Sequence, residues 1–472
     1  MRGDADVRRH RRIWRHRRHL RGLHDAHGTP ATRVLMLLAL LQNIILCMTD
    51  DQGYADAGFQ GHPVLQTPRL DEIAAAGMVL ETFYAAAPVC SPTRASCLTG
   101  LHPDRLGITH ANTGHLPADT IHLASWLGAR GYTTGHFGKW HLGTLTREQE
   151  DGNRGGRPKQ DRHYAPPWER GFDVCFSTES KVPTADPQWK PGTKEPYGTV
   201  FWTGPGQVAT ENLDGDDSRI IMDRALPFIE QAVAEGRPFF AVIWFHTPHL
   251  PLVTTEELEA PYRGQPSSKY LGAMAGVDRE MGRLWDSLGR LGVRDETLLW
   301  YCSDNGPERV KGDDDTAPAA AFAGHTLGSA APFRGRKRTL YEGGIRVPAF
   351  VTWPQRVPAG KRVDAVAVTS DYFPTIIDAL GASPPEVDFD GVSLLPLITG
   401  GLWTRPRPVG FRSNRRYAWV DWPYKLVCND GREEQLFDLS IDPGEEHDLI
   451  ETKAALAARL RLACWAWRKD LR

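Results

Sequence analysis

The segment Cys90-Ser91-Pro92-Thr93-Arg94-Ala95-Ser96-Cys97-Leu98-Thr99-Gly100 puts a thiol and a guanidinium at what reads as the start of a helix. Ser91 suits a helix N-cap and Pro92 the first helical position, where its missing N–H costs nothing. Gly100 suits a helix stop. Position 90 is therefore expected at the mouth of a short helix, where free N–H groups and the helix dipole favour an anion. Taken alone, the segment reads equally as a buried cysteine before an ordinary helix.

Other segments carry the same theme. Asp50 and Asp51 follow the apolar run 43–48. Adjacent carboxylates after a buried strand lie at the carboxyl edge of a sheet, where open α/β folds bind ligands. They repel each other unless a cation sits between them, and hard oxygen donors suit Ca²⁺ or Mg²⁺. In isolation the pair also reads as a solvated turn. A second apolar run, 298–302, ends in Ser303-Asp304-Asn305-Gly306 and again offers oxygen ligands. Lys139 and His141 lie two apart in Gly138-Lys139-Trp140-His141-Leu142-Gly143, so an extended segment would turn both to one side. A lysine suits an anionic oxygen, and a histidine suits proton transfer near neutrality. His246 and His249 follow the run 239–245, and four basic residues fall within Arg334-Gly335-Arg336-Lys337-Arg338. That basic run reads either as a polyanion patch or as the rim of an anion pocket.

Taken in order, these segments resemble the type I sulfatases of the alkaline phosphatase superfamily. The stretch 90–100 fits C-x-P-[ST]-R-x-x-x-L-T-G. The 50–53 and 303–306 segments resemble the family's D-D-x-G and S-D-N-G. Residues 138–143 match G-K-W-H-L-G, His249 falls in P-H-x-P, and 334–344 resembles R-G-x-K-x-[ST]-x-Y-E-G-G. The resemblance implies that Cys90 is oxidised to formylglycine, whose hydrate is the nucleophile. It implies that Asp50, Asp51, Asp304, Asn305 and residue 90 hold the metal, Ca²⁺ in preference to Mg²⁺. Arg94, Lys139 and Lys337 are then the cations facing sulfate. His249 or Lys337 protonates the leaving alcohol, and His141 removes the proton of the second hydroxyl. His246, outside the matched segment, is expected to be structural or supporting. Gln52 and Cys97 stand where an apolar residue is commoner. Residues 1–41 have no counterpart.

The resemblance further implies a formylglycine-generating system for maturation and a sulfated substrate, a glycan first and a small aryl or alkyl sulfate second. Two other readings are a phosphonate or phosphate monoester hydrolase on the same fold and a non-catalytic anion-binding paralogue with unmodified Cys90.

These residues need elements to place them. From about residue 42, short apolar runs typical of strands covered on both faces alternate with helical spacing, as in Val277, Met281, Leu284, Trp285, Leu288 and Leu291. A helix is expected to open at Thr67-Pro68 and stop at Gly77. The expected fold is α/β: a doubly wound, mostly parallel sheet flanked by helices, with a smaller C-terminal α+β domain. The division expected is a basic segment over 1–41, a catalytic domain over 42–400 and an antiparallel sheet plus helix over 401–472. Residues 144–215 and 307–335 read as long surface loops that set specificity. Trp168, Trp189 and Trp202 are candidates for stacking on sugar rings.

Composition is that of a globular chain of 472 residues, with 41% hydrophobic and 24% charged residues. A net charge of −2 argues against nucleic acid as a partner. Seven scattered cysteines have neither zinc-ligand spacing nor the density of a disulfide scaffold. A Cys90–Cys97 disulfide would block the expected chemistry. Nine arginines crowd residues 2–21, and the run 34–41 is too short for a membrane span and lacks a small-residue cleavage site. This leans towards a cytoplasmic location rather than an exported one.

Overall fold

The computed structural model describes residues 43–309 and 327–471. The basic segment expected over 1–41 and most of the 307–335 loop lie outside the described residues. Within them, sixteen strands follow in chain order. They are β1 (Asn43–Thr49), β2 (Met78–Leu80), β3 (Phe83–Tyr84), β4 (Thr133–Lys139), β5 (Val174–Thr178), β6 (Trp202–Gly204), β7 (Gln207–Val208) and β8 (Phe239–Trp244). Then come β9 (Thr297–Ser303), β10 (Ala349–Thr352), β11 (Lys361–Val363), β12 (Ala367–Val368), β13 (Val409–Ser413), β14 (Arg416–Asp421), β15 (Tyr424–Cys428) and β16 (Gln435–Asp438). The described helices of eight residues or more are α1 (Pro68–Ala75), α2 (Cys90–Thr99), α3 (Asp217–Ala234), α4 (Ser268–Arg290), α5 (Tyr372–Ala379) and α6 (Ala454–Asp470).

Ten strands form one sheet in the order β11-β2-β10-β9-β1-β8-β4-β5-β6-β7. Its centre, β9-β1-β8-β4-β5, is parallel throughout. Alternate residues of these strands enter two separate cores. Ile44, Leu46 and Met48 of β1 pack on one side with residues of α2 and α5. Ile45 and Cys47 pack on the other with α1, α3 and α4. Because both faces are covered, the strands read as unbroken apolar runs in the sequence. The α4 stripe from Val277 to Leu288 is buried against the second core.

Strands β13 to β16 form an antiparallel sheet in that order. One face packs on α6 through Trp419, Leu426, Leu436, Leu460 and Cys464. The other packs on Tyr84, Leu340, Tyr341 and Ile345. A buried ion cluster joins the same regions. Lys425 Nζ lies 2.7 Å from Glu342 Oε1 and 2.9 Å from Glu445 Oε1. Tyr84 donates to Glu342 Oε2 at 2.8 Å. Burial raises the Glu445 carboxyl to about 7 despite Lys425, while Lys425 and Arg346 outweigh burial at Glu342 and lower it. Removing one member of such a buried pair typically costs about 3–5 kcal/mol, because a charge is left without compensation. The C-terminal sheet is thereby tied to the segment that carries Lys337.

Some local expectations fail. Helix α2 opens at Cys90 with Val89 as its N-cap, so Ser91 does not cap it. Pro92 is still tolerated, since the first-turn N–H groups have no intrahelical acceptor. Position 90 keeps its place at the helix mouth. All seven cysteines are free thiols, and Cys97 lies in the core. Trp202 is buried with its Nε1 donating to Asp151 at 2.6 Å, so it offers no face to a sugar. Trp168 packs partly buried against the core, and Trp189 is exposed. No described helix is long and apolar enough to cross a membrane.

One buried histidine makes the fold sensitive to acid. His122 Nδ1 accepts the Ser125 N–H at 3.4 Å and so caps the short helix Leu123–Gly128. Burial first, and Arg170 second, lower its pKa to about 3. The unfolded chain therefore binds more protons than the folded one between about pH 3 and 6.5, and stability falls as pH drops through that window. Asn keeps a cap without the ionisation. In urea unfolding, His122→Asn is expected to lose less stability than the wild type on acidification from pH 6.5, by up to about 1.4 kcal/mol per pH unit. Parallel losses in the two proteins would refute this account.

Candidate active site

Strands β9, β1, β8 and β4 end level with one another, because Thr49 pairs with Ser303, and Met48 and Gly138 both pair with Trp244. Just past those ends stand Asp304-Asn305, Asp50-Asp51, His246 to His249, and Lys139 to His141. The backbone stitches the ends together: Asp304 N donates to Thr49 O at 3.0 Å and Asp50 N to Thr247 O at 3.1 Å. Helix α2 presents Cys90 to the same place, with Sγ 3.4 Å from Asp50 Oδ1.

Two residues at strand ends turn the chain in ways that alternation along a strand does not anticipate. Asp51 has φ 70°, a left-handed conformation that is unfavourable for a residue with a Cβ. Adjacent side chains in an extended strand point to opposite faces, and this turn lets Asp50 and Asp51 serve one cluster instead. His141 has φ 54°, and β4 stops at Lys139. The expected extended Lys139–His141 segment is therefore broken at His141, a left-handed residue just past the strand end. Gly306 sits where a Cβ would meet Gly343 O at 1.9 Å, so this close approach requires glycine. It docks the Asp304-Asn305 turn against the segment bearing Lys337.

Each carboxylate has its own cation. Lys139 Nζ is 2.5 Å from Asp50 Oδ2. Lys337 Nζ is 2.7 Å from Asp51 Oδ2. Arg94 Nη2 is 2.7 Å from Asp304 Oδ2, and its Nε donates to the same oxygen at 3.1 Å. All six side chains are buried. Burial works to raise the Asp50 carboxyl, but Lys139, His249, Arg94 and Lys337 together hold it well below the usual range. At Asp304 burial prevails, with Asp50 adding to it, and the carboxyl rises to about 7. Lys337 is pushed up, the carboxylates Asp51, Glu308 and Asp50 outweighing burial. Burial, Asp304 and Asp50 push the Cys90 thiol far up. As a thiol, Cys90 is protonated here and is not a nucleophile.

The donors fit a hard divalent cation. Asp50, Asp51, Cys90 and His249 each offer a ligand atom, and these atoms lie within 4.8 Å of one another. Among the described residues this is the one such cluster of His, Cys, Asp and Glu. Asn305 donates from Nδ2 to Asp51 Oδ1 at 2.7 Å, while its Oδ1 is buried without a hydrogen-bond partner. A buried amide oxygen of that kind suits a metal ligand. Asp304 Oδ1 accepts the Asp51 N–H at 3.2 Å. His249 Nε2 lies 3.6 Å from Asp51 Oδ2, so it stands among the prospective ligand atoms as well as near Lys337. Burial first, then Lys337, lower its pKa to about 4.

The sequence-predicted residues Asp50, Asp51, Cys90, Arg94, Lys139, His249, Asp304, Asn305 and Lys337 thus converge. His141 joins them within electrostatic reach of Lys139, Arg94 and Asp50, and burial lowers its pKa well below the ordinary value. His246 does not: it is buried between Asp217 (2.7 Å) and Thr178 (2.6 Å) and is structural. The expected cationic rim shrinks to Lys337. Arg336 is buried and donates to the carbonyls of Glu308, Leu327 and Gly328, Arg338 pairs with Glu308, and Arg334 stacks on Tyr341. Glu308, 3.3 Å from Lys337 Nζ, and Asn112, 2.9 Å from His141 Nε2, were not anticipated. Neither has a local sequence signal, because each acts through a partner remote in the chain.

Comparison with known proteins identifies the family. The family model described as Sulfatase matches residues 42–382, and that described as N-sulphoglucosamine sulphohydrolase, C-terminal, matches 335–464. Arylsulfatase G of Mus musculus is 34% identical over 394 residues, covering 76% of this chain and 69% of the relative. N-acetylgalactosamine-6-sulfatase of Canis lupus familiaris is 31% identical over 387 residues, covering 78% and 67%. The crystal structure of Ps i-CgsB in complex with k-i-k-neocarrahexaose superimposes with a TM-score of 0.78 at 26% identity, over 91% of this chain and 93% of that one. The chain therefore belongs to the sulfatase family, as a type I sulfatase of the alkaline phosphatase superfamily that hydrolyses sulfuric esters.

Proposed function

We propose that this sulfatase releases sulfate from a sulfated carbohydrate, with a formylglycine made from Cys90 and Ca²⁺ held by Asp50, Asp51, Asp304, Asn305 and residue 90. The observation that carries the reading is the set of three buried carboxylate–cation pairs around Cys90. These six side chains are formally neutral together. A divalent ion makes the site net cationic, which suits an anionic sulfate ester. Burial, with Asp304 and Asp50, pushes the Cys90 thiol up, which does not suit a thiolate nucleophile.

A bound divalent cation supplies charge neutralisation at sulfate oxygens and lowers the pKa of an adjacent hydroxyl, and the formylglycine hydrate supplies that hydroxyl. The chain's own residues do the rest. Lys139 and Lys337 face the sulfate oxygens. Arg94, buried and bound to Asp304 and to Lys139 O (3.0 Å), holds both in register. His249 is held neutral by burial and by Lys337, whereas Lys337 keeps its proton, which favours Lys337 as donor to the leaving alcohol. His141, neutral and buried, is the base that removes a proton from residue 90. Substrate choice falls to the 144–215 segment and the C-terminal sheet. The glycan preference is supported by N-acetylgalactosamine-6-sulfatase and by the oligosaccharide bound to Ps i-CgsB.

Two measurements test the proposal. Mass spectrometry of the peptide containing residue 90 is expected to show sulfur replaced by carbonyl oxygen. A panel of sulfated mono- and disaccharides, aryl sulfate, aryl phosphate and phosphonate monoester is expected to give the highest kcat/KM on a sulfated sugar. Cys90→Ala should lower it by at least about 10³. An unmodified thiol in fully active enzyme, or a preference for phosphonate, would sink the reading. After treatment with chelator, Ca²⁺ at a hundredfold excess over its Kd should raise the unfolding free energy by about 2.7 kcal/mol, and Asp51→Ala should remove that gain. Indifference of the thermal midpoint to Ca²⁺ would refute the ion site.

A further inference from the structure

His141 is buried, yet its two ring nitrogens are treated differently. Nε2 lies 2.9 Å from Asn112 Oδ1. Nδ1 is buried without a hydrogen-bond partner. Asn112 Oδ1 also accepts from Asn153 Nδ2 at 3.2 Å, so the amide turns its carbonyl, an acceptor only, towards the imidazole. A neutral ring facing an acceptor carries its proton on that nitrogen. The lone pair is then on Nδ1.

Asn112 does not hold this pose by itself. Its φ is 61°, a left-handed conformation that asparagine tolerates better than most residues but that needs support. Arg154 Nη1 donates to Asn112 O at 3.2 Å and to Gly114 O at 2.7 Å. The N–H groups of Arg154 and Gly155 donate to the two carboxylate oxygens of buried Glu179, at 2.9 and 2.7 Å. Glu179 O accepts the His141 N–H at 3.0 Å. The contacts close a ring: His141 to Asn112, to Arg154, to Glu179, and back to the His141 backbone.

The geometry points to Asn112 as a positioning residue that fixes His141 in the Nε2–H tautomer, leaving Nδ1 as the proton acceptor, with Arg154 and Glu179 holding Asn112 in place. The inference rests on His141 being the base, as proposed above, and adds which nitrogen acts and what selects it. It also gives part of the 144–215 segment a role besides substrate choice. Asn153 and Arg154 lie in that segment and reach the imidazole through one amide.

The test uses full-length enzyme labelled with [¹⁵N]histidine. Long-range ¹H–¹⁵N spectra report which ring nitrogen is protonated, and His141 is identified by comparison with His141→Gln. The expected pattern is a protonated Nε2 and an unprotonated Nδ1. Asn112→Leu, which removes the acceptor, should convert this to the other tautomer or a mixture and lower kcat about tenfold or more, with KM within about twofold. Asn112→Asp keeps an acceptor and should keep both the tautomer and most of kcat, so loss of fold in one variant does not end the test. A wild-type ring protonated on Nδ1, or a tautomer unmoved by Asn112→Leu, overturns the assignment to Asn112. A tautomer that shifts while kcat stays constant overturns the catalytic part instead, and with it the choice of His141 as base.

Discussion

Three carboxylates buried within one site are tolerable only because each meets a cation. Asp50 with Lys139, Asp51 with Lys337 and Asp304 with Arg94 satisfy that condition one by one. Desolvation of a single unpaired charge costs several kcal/mol, which is comparable to the whole stability of a domain. The pairs therefore constrain everything that delivers them. Strand β4 must bring Lys139 level with β1, α2 must seat Arg94 beside β9, and the segment after Gly335 must carry Lys337 across to Asp51. The parallel centre of the sheet exists in this order because only such a register brings four strand ends to one edge.

Lys337 is the member that neither a strand end nor α2 supplies. Its segment is docked from two sides. Gly306 admits Gly343 at a distance no Cβ would allow, and Glu342 is clamped to Lys425 of β15 inside the fold. Leu340, Tyr341 and Ile345 share a core with β13 to β16. The C-terminal sheet thus supports the segment that carries Lys337, and the buried Lys425–Glu342–Glu445 cluster is the polar link between the two.

Acid–base character in the site follows from burial more than from residue type. Histidine is usually the group that titrates near neutrality. Here His249 is lowered to about 4 and His141 is lowered well below its ordinary range, while burial raises Asp304 to about 7. The imidazoles are held neutral at neutral pH, and the lysines hold their protons. An amide beside His141, and the loop that supports it, then decide which lone pair is presented.

The chain's own residue order determined a great deal. Apolar runs of strand length, helical stripes, and the segments around positions 50, 90, 139, 249, 304 and 337 were legible because strands covered on both faces read as unbroken runs and strand ends carry the chemistry in such sheets. Helix α2 starts at Cys90, two residues before the start that Ser91-Pro92 signals, since a serine followed by proline signals a cap wherever φ and ψ permit it. Tertiary structure alone decided which carboxylate meets which cation, that His141 is left-handed, that Arg336 and Arg338 are structural, and that Asn112, Arg154, Glu179 and Glu308 matter. These depend on left-handed residues and on contacts across tens to hundreds of positions, as between Lys337 and Asp51. Local sequence expresses propensity and period; pairing over such separations is fixed only when the whole chain packs.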